Sequence, residues 1–249
     1  PWHLDFLAFS GHKMYAPFGT GVLVGPREFF RSGPPDYRGG GTIEMVNLEE
    51  VYWAEPPERD EAGSPNVVGA VALAESIRVL SQVGMDTVET HERELTRYAL
   101  HRLQALPEVR VYGSSDPEQL EGRLGVISLE IKGVPHGKVA AVLAFEGGIG
   151  VRNGCFCAHP YVLNLLRVDP HEYQAYKERA LHGDRSRLPG LVRVSFGCYN
   201  TLDEVDRLVE MLERIARGDY LGQYEVDRPS GMYLPRGFDG ASLRSYFAL

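Results

Sequence analysis

The sequence predicts an α/β protein with a strand-rich first part and a compact α+β second part. Residues 1–65 alternate short apolar runs with Gly- and Pro-rich turns, a pattern typical of strands joined by loops. After residue 66 the apolar spacing changes to that of helices, and beyond Pro107 strands and helices alternate. With 249 residues, 43% of them hydrophobic, the chain is long enough for one large or two modest domains.

The first part begins with two short apolar segments on either side of a lysine. Residues 4–9 are apolar and are bounded by Ser10-Gly11, which predicts a buried strand. A glycine-rich turn at residues 19–21 then leads into a second strand at 22–25. We therefore expect Lys13 on the loop between two core strands, where packing fixes its stem and partial desolvation favours its neutral amine.

Two helices are predicted in the middle of the chain. One begins after Asn66 and ends at Gly84, because glycine commonly follows the last turn of a helix. Asp86 is expected to cap the second helix, which Pro107 stops. The apolar residues that this second helix places on one side are Val88, Leu95, Tyr98, Leu103 and Leu106.

The second part is predicted to be a compact unit of strands and helices. Strands are expected at residues 109–112, 124–131, 149–152 and 191–196, and a helix at 137–145. Strict alternation places Arg193 and Ser195 on the same face of the last strand. Thr201 and Glu204 form a capping box for a final helix that Gly218 closes. The apolar stripe of that helix consists of Leu202, Val205, Leu208, Val209, Leu212 and Ile215.

Composition excludes several functional classes. A net charge of −8 and a pI near 5.5 argue against a nucleic-acid-binding surface. No apolar run approaches the roughly 20 residues that span a bilayer, since the run at 67–74 ends at Glu75. Three cysteines make a sparse, odd set, unlike a secreted disulfide framework, so we expect a reducing, cytoplasmic compartment. His171 and His182 are interpreted as surface residues.

The segment Ser10-Gly11-His12-Lys13 is suited to holding a phosphorylated aldehyde. A deprotonated lysine amine forms a Schiff base with an aldehyde. The Ser10 hydroxyl and the His12 imidazole are groups that bind phosphate, and Gly11 allows close approach of the backbone. A solvated surface lysine is the alternative, because most lysines are of that kind.

A second candidate site contains two cysteines close in sequence. In Arg152-Asn153-Gly154-Cys155-Phe156-Cys157 a thiolate on a glycine-containing loop is suited to act as a nucleophile. The residues alone leave two alternatives open. The cysteines are either an inert buried pair, or metal ligands together with His159. Cys198 follows a strand and is expected in or near the core.

These segments resemble the class V aminotransferases, the family that includes the cysteine desulfurases. The resemblance rests on residues 5–21 around Lys13, on the cysteine loop and on Val192-Arg193-Val194-Ser195-Phe196-Gly197. It implies an aspartate-aminotransferase-like fold of the pyridoxal-phosphate enzymes, fold type I. Residues 1–75 would then complete the large domain, 76–218 would form the small α+β domain, and 219–249 would be an extension.

The resemblance also implies roles for single residues. Lys13 would carry pyridoxal 5'-phosphate, Cys157 would take sulfur from the substrate, and Arg193 would grip the substrate carboxylate. Arg152 is a second, weaker candidate for that anchor. The corresponding activity converts L-cysteine to L-alanine and leaves a persulfide on the enzyme, which a sulfur-acceptor protein would collect. No metal site is implied.

Further implications concern the cofactor phosphate and the assembly. The hydroxyl of Ser10 and the imidazole of His12 would bind the cofactor phosphate, and the resemblance suggests that Ser64 reaches the cofactor phosphate of the neighbouring subunit. The implied assembly is a homodimer with shared active sites, and the loop at residues 39–42 resembles one near that interface. Cys155 stands where many desulfurases have a histidine, and this part of the loop is similar to the molybdenum-cofactor sulfurases.

The resemblance covers only the C-terminal half of a family member, so we expect this chain to be partial. The residue that stacks on the cofactor ring and the aspartate that pairs with its nitrogen lie upstream in relatives. Two alternatives therefore stay open. The chain could belong to another class V enzyme, such as an aminotransferase, an epimerase or a selenocysteine lyase, or serve only as a dimerisation module.

Overall fold

The computed structural model describes residues 3–240 of the chain. The chain divides into two compact units, and the boundary in sequence falls between Met85 and Asp86. Both units mix strands and helices, which confirms the predicted α/β class. The predicted domain bounds at 75/76 and 218/219 stay predictions.

The first unit consists of two antiparallel strand pairs and one long helix. Strand β1 pairs with β2, and β3 pairs with β4, each in a two-stranded arrangement. The elements are β1 (Leu7–Ser10), a 3-10 helix (Gly11–Met14), β2 (Gly21–Val24), α1 (Arg27–Arg31), β3 (Ile43–Val46), β4 (Val51–Trp53), a second 3-10 helix (Glu58–Asp60) and α2 (Val67–Val83).

The first strand is shorter and more exposed than its sequence predicts. It begins at Leu7, and Leu4, Phe6 and Leu7 are exposed. Apolar composition predicts burial only where other elements cover both faces of a strand. Within the described residues, β1 has β2 as its single paired strand, so the prediction of a buried core strand is wrong.

Helix α2 matches its predicted bounds because its ends are encoded locally. The Asn66 side chain accepts a hydrogen bond from Gly69 N, and Gly84 follows the last residue of the helix. The next helix, α3 (Met85–Leu103), begins one residue before Asp86, so Asp86 lies in its first turn rather than at its cap. Acidic residues in a first turn still stabilise a helix through its dipole.

The second unit is built on a four-stranded antiparallel sheet with the order β5-β6-β8-β7. Alternate residues of β6 and β8 join α3, α4 and α7 in one hydrophobic core. The elements after α3 are β5 (Val109–Tyr112), β6 (Val126–Ile131), α4 (His136–Gly147), β7 (Arg152–Gly154), α5 (His159–Leu165), α6 (Pro170–Leu181), β8 (Leu191–Ser195), α7 (Leu202–Arg217), β9 (Tyr224–Val226) and β10 (Tyr233–Pro235).

Strand β7 begins later than the predicted strand at 149–152. Gly148 adopts a left-handed conformation at the end of α4, with φ of 66°. The next amide, Ile149 N, donates to Leu143 O at 2.9 Å. Ile149 therefore belongs to the C-terminal cap of the helix, and only after it is the backbone free to pair with β8.

Helix α7 confirms the capping box and the closing glycine. Thr201 accepts from Glu204 N, the Glu204 carboxylate accepts from Thr201 N, and Gly218 is left-handed. Of the predicted apolar stripe, Leu202 is exposed and the other five residues are buried, together with Met211. Hydrogen bonds from the Asn200 side chain and from Thr201 hold the pKa of Glu204 below its usual value.

One carboxylate anchors residues 221–224 of the segment after α7. Glu146 on α4 accepts hydrogen bonds from Leu221 N at 3.0 Å, Gly222 N at 2.9 Å and Tyr224 Oη at 3.0 Å. Burial alone raises the pKa of Glu146, but these hydrogen bonds outweigh it and hold the pKa below its usual value. Burial and the bond to Glu146 raise the pKa of Tyr224 to about 12, so its hydroxyl stays a donor.

Among the described residues, no single helix is long and apolar enough to cross a membrane. The consecutive helices α2 and α3 meet the length and composition criteria only when taken together as a bent pair.

Replacing Glu146 with glutamine is expected to release residues 221–226 from α4. The amide cannot accept as many hydrogen bonds as the carboxylate, and bonds to a charged acceptor are the strong ones. Amide hydrogen exchange across 221–226 should rise by about tenfold or more at neutral pH. The half-buried Glu213, which pairs with Arg217 and lies away from residues 221–226 in sequence, supplies the control Glu213→Gln.

Lowering the pH should also raise amide hydrogen exchange across residues 221–226, relative to its intrinsic rate, in the unsubstituted chain. The pKa of Glu146 is lower in the folded state, so its ionised form stabilises the tail above its ordinary pKa. That stabilisation is lost as the pH falls through the folded value. Equal exchange in the Glu146→Gln and Glu213→Gln variants would contradict the anchoring role.

Candidate functional site

Lys13 lies in the short 3-10 helix between β1 and β2, in the first unit. Gly11 at the start of this helix is buried and donates its N–H to Thr20 O at 2.8 Å. A Cβ at Gly11 would lie 2.9 Å from Thr20 Cγ2 and 3.1 Å from Thr20 O. Only glycine fits this approach, so Gly11 closes the loop that presents Lys13.

Helix α2 fixes the same loop from the other side. Asn66 Nδ2 donates to Phe18 O at 2.6 Å, and Ser76 Oγ donates to Met14 O. Gly69 lies so close to the loop that a Cβ there would be 2.9 Å from Thr20 Cβ. The sequence interpretation missed these anchors, because nothing in the pattern links residues so distant in sequence.

The loop leaves Lys13 and His12 exposed, and Ser10 half-buried. The expected partial desolvation of Lys13 is therefore not found in the described part of the chain. Within residues 3–240, the side chains of Lys13 and His12 make no hydrogen bond or ion pair. The amine and the imidazole are thus available to an external group.

Ser64 is exposed and lies two residues before the N-cap of α2. Its segment contacts the loop at residues 39–42, because Gly63 N donates to Gly40 O at 2.9 Å. Thr42 is buried, and its hydroxyl donates to Gly39 O at 2.7 Å. The structure thus brings together two segments that the sequence singled out separately.

The cysteine loop connects β7 to α5 in the second unit. Phe156 and Cys157 have positive φ values of 53° and 62°. Each costs about 1 kcal/mol or more for a residue other than glycine. A hydrogen bond from Ala158 N to Cys155 O at 2.7 Å closes the turn. Two successive residues in this conformation are a strained feature of the kind that occurs at functional sites.

The two cysteines of the loop lie in different environments. Cys155 is half-buried and donates its thiol to Pro189 O at 3.3 Å, and burial raises its pKa. Cys157 is exposed. Because the thiolate is the nucleophile, the environment of Cys155 disfavours reaction there. The alternative of an inert buried pair therefore does not hold for Cys157.

Two arginines lie opposite each other on neighbouring strands beside this loop. Arg152 on β7 is the cross-strand partner of Arg193 on β8. Val192 and Val194 are buried, so Arg193 projects from the opposite face of the sheet, with the exposed Ser195 on its side. This confirms the predicted placement of Arg193 and Ser195 on one face.

The arginine pair gives the site its electrostatic character. Like charges directly opposite on a sheet destabilise it unless an anion compensates them. Arg193 Nε is buried and has no hydrogen-bond partner within the described residues. The guanidinium carbon of Arg193 lies 5.2 Å from the centre of the Phe156 ring. This packing places Arg193 against the cysteine loop. In the sequence, the one sign of this contact is the aromatic residue between the two cysteines.

The remaining candidates are surface groups. Cys198 is exposed, so its expected place in or near the core is wrong, because it follows the end of β8. His171 and His182 are exposed, as predicted. Cys155, Cys157 and His159 do not form a metal-binding cluster, and none is found elsewhere in residues 3–240.

The structure therefore assembles two groups of candidate residues. Ser10, His12 and Lys13 share one loop in the first unit, and Ser64 lies elsewhere in that unit. The Cys157 loop, Arg193 and Arg152 lie together in the second unit.

Comparisons with known proteins show the family of the chain. The chain matches the family model of the class V aminotransferases over residues 2–208. It is 40% identical over 206 residues to the probable cysteine desulfurase 2 of Mycobacterium leprae, covering 83% of this chain and 43% of that protein. It is 36% identical over 214 residues to a cysteine desulfurase of Cronobacter sakazakii, covering 86% of this chain and 46% of that protein. The chain thus spans about half the length of the curated relatives it matches.

Two solved structures to which the chain is similar are also cysteine desulfurases. The apo cysteine desulfurase of Thermococcus onnurineus superposes with a TM-score of 0.71 at 38% identity, covering 87% of this chain and 48% of that one. The Escherichia coli cysteine desulfurase CsdA, in its S-sulfonic acid form, gives a TM-score of 0.69 at 29% identity, covering 88% of this chain and 47% of that one. These neighbours confirm the predicted aspartate-aminotransferase-like fold. Since the family match includes the lysine, cysteine and arginine segments, the chain belongs to the class V aminotransferases.

Proposed function

We propose that this chain contributes to a pyridoxal-phosphate-dependent cysteine desulfurase and supplies its sulfur-accepting thiol. The observation that carries the proposal is the exposed Cys157 on a strained loop whose Phe156 packs on Arg193. The most similar relatives named above are cysteine desulfurases, which supports the same activity. The proposal concerns L-cysteine as substrate and L-alanine as product.

The residues around Lys13 fit pyridoxal phosphate. The Lys13 amine is exposed and has no partner within residues 3–240, so it is available to the aldehyde. The Ser10 hydroxyl and the His12 imidazole are groups that bind phosphate, and Ser64 would serve the phosphate of the neighbouring subunit. When bound, the cofactor accepts electron density from the substrate carbon. Lys13 would move protons at that carbon.

Arg193 would hold the substrate carboxylate. A guanidinium binds a carboxylate through two parallel hydrogen bonds, and an anion here offsets the repulsion between Arg193 and Arg152. Arg152 is exposed, so its contribution would be mainly electrostatic. An anion in this place would bring the substrate sulfur toward the loop that carries Cys157.

Cys157 would then take the sulfur. Its thiolate attacks the substrate sulfur and forms a sulfur–sulfur bond, while the carbon–sulfur bond breaks. The electron pair of the broken bond stays with the carbon, and protonation there gives alanine. The sulfur remains on Cys157 as a persulfide, from which an acceptor protein would collect it. The exposure of Cys157 suits transfer to a second protein.

We also propose a homodimer in a reducing, cytoplasmic compartment. The β3–β4 hairpin exposes Met45, Val46 and Leu48, and such an apolar surface is typical of an interface between subunits. The Ser64 segment and the loop at residues 39–42 lie in the same unit and would reach the partner's site.

Replacing Cys157 with serine tests the activity. In the protein supplied with pyridoxal phosphate, L-cysteine and dithiothreitol, which reduces the persulfide to sulfide, sulfide release should fall by roughly a hundredfold, because a hydroxyl cannot accept the sulfur. Cys198→Ser is the matched control, since Cys198 is also exposed but lies outside the loop. Undiminished sulfide release by Cys157→Ser would reject the desulfurase in favour of another class V reaction.

The lysine assignment is tested by covalent labelling. The lysines of this chain are Lys13, Lys132, Lys138 and Lys177, so labelled peptides are easily distinguished. After incubation with pyridoxal phosphate and reduction with borohydride, mass spectrometry should place the added group mainly on Lys13. An even spread over all lysines would contradict the assignment and would favour a module that serves only for dimerisation.

A further inference from the structure

A large cavity in the second unit lies behind the cysteine loop. Its volume is about 790 Å³, within the range of sites for small molecules. Helices α4, α5 and α6, the residues 153–155 and the hairpin of β9 and β10 surround it. Cys155 lines the cavity, whereas Cys157 does not. The cavity is therefore separate from the thiol proposed to accept sulfur.

One wall of the cavity comes from the segment beyond the family match, which ends at residue 208. Gly231 and Tyr233 of this segment line the cavity. A Cβ at Gly137 on α4 would lie 3.1 Å from the Tyr233 ring, so glycine allows the hairpin to pack there. Glu146 anchors the start of the same segment. This segment thus supplies one wall of the cavity, and residues 136–189 supply the rest.

A second link ties this wall to the segment after α6. Arg185 N donates to Arg228 O at 2.7 Å, and Arg185 Nη1 donates to Pro229 O at 2.7 Å. Gly231 approaches the same residue so closely that a Cβ there would lie 2.7 Å from Arg185 O. Backbone and side chain of Arg185 therefore fix the hairpin over the cavity.

The lining is apolar with cationic groups. Small and apolar side chains such as Ala140, Ala144, Leu163 and Leu188 form most of its surface. Lys177 and Arg185 are its charged members. Among the described residues that line it, none is Asp or Glu, although the chain contains 34 acidic residues and carries a net charge of −8. The nearby Glu172 accepts a hydrogen bond from Tyr176.

We propose that this cavity binds a small carboxylate with an apolar body, such as a medium-chain fatty acid or an aromatic acid. The apolar walls would take the hydrocarbon, and Lys177 with Arg185 would take the carboxylate. Such a ligand would cover the Cys155 thiol on the inner side of the loop. The proposal concerns binding only and is independent of the sulfur chemistry proposed above.

Decanoate is the probe, used below its micellar concentration with the 249-residue chain. Calorimetry should give saturable binding of one molecule per chain, and the matched cation decyltrimethylammonium should bind at least tenfold more weakly. Ala144 is exposed within the cavity, so Ala144→Trp fills the space without displacing the core. This variant should lose decanoate binding at least tenfold while keeping its unfolding temperature.

Two charge-reversal variants on α6, one in the cavity lining and one outside it, test where the carboxylate of the ligand binds. Lys177→Glu should weaken decanoate binding at least fivefold, because it places a carboxylate at the ligand's anionic end. Arg179→Glu makes the same change two residues away on the same helix, outside the described lining, and should leave binding unchanged. Equal effects of the two reversals would overturn the assignment of the carboxylate to Lys177.

The alkylation rate of Cys155 measures decanoate binding independently of calorimetry. Saturating decanoate should slow the alkylation of Cys155 by iodoacetamide at least threefold, and Cys198 should react at an unchanged rate. Three results would each overturn the proposal: no saturable binding, equal binding of the cationic probe, or unchanged binding by Ala144→Trp.

Discussion

The register of strand β8 is the constraint on which the candidate site depends. Val192 and Val194 are part of the hydrophobic core, so Arg193 is obliged to face the other side of the sheet. Antiparallel pairing with β7 then sets Arg193 directly against Arg152. A shift of one residue would put the guanidinium into the core, which makes the register costly to change.

The cysteine loop follows from the same register, because it begins where β7 stops pairing with β8. Phe156 turns back through a left-handed conformation onto Arg193, and Cys157 continues in that conformation at the surface. Cys155 stays on the inner side, bonded to Pro189 O. The loop thus divides two chemically identical thiols into a shielded one and an accessible one.

Local signals in the sequence predicted the ends of α2 and α7, but they did not predict α1, α5 or α6, and they failed where burial decides. Asn66, Gly84 and the Thr201 capping box fix their helix ends through contacts with near neighbours, so the bounds of α2 and α7 could be predicted. The exposure of β1 and Cys198 depends on which elements cover them, and short patterns do not contain that information. The anchors of the Lys13 loop and the cavity wall likewise join residues far apart in sequence.

The most direct test of the central claim compares two alkylating reagents on Cys157, since iodoacetate is an anion and iodoacetamide is neutral. If Arg193 and Arg152 form an anion site beside the loop, the rate ratio of iodoacetate to iodoacetamide should be high at Cys157. Arg193→Gln should lower that ratio by roughly threefold or more, with a smaller change at Cys198. A ratio at Cys157 that Arg193→Gln leaves unchanged would contradict the account.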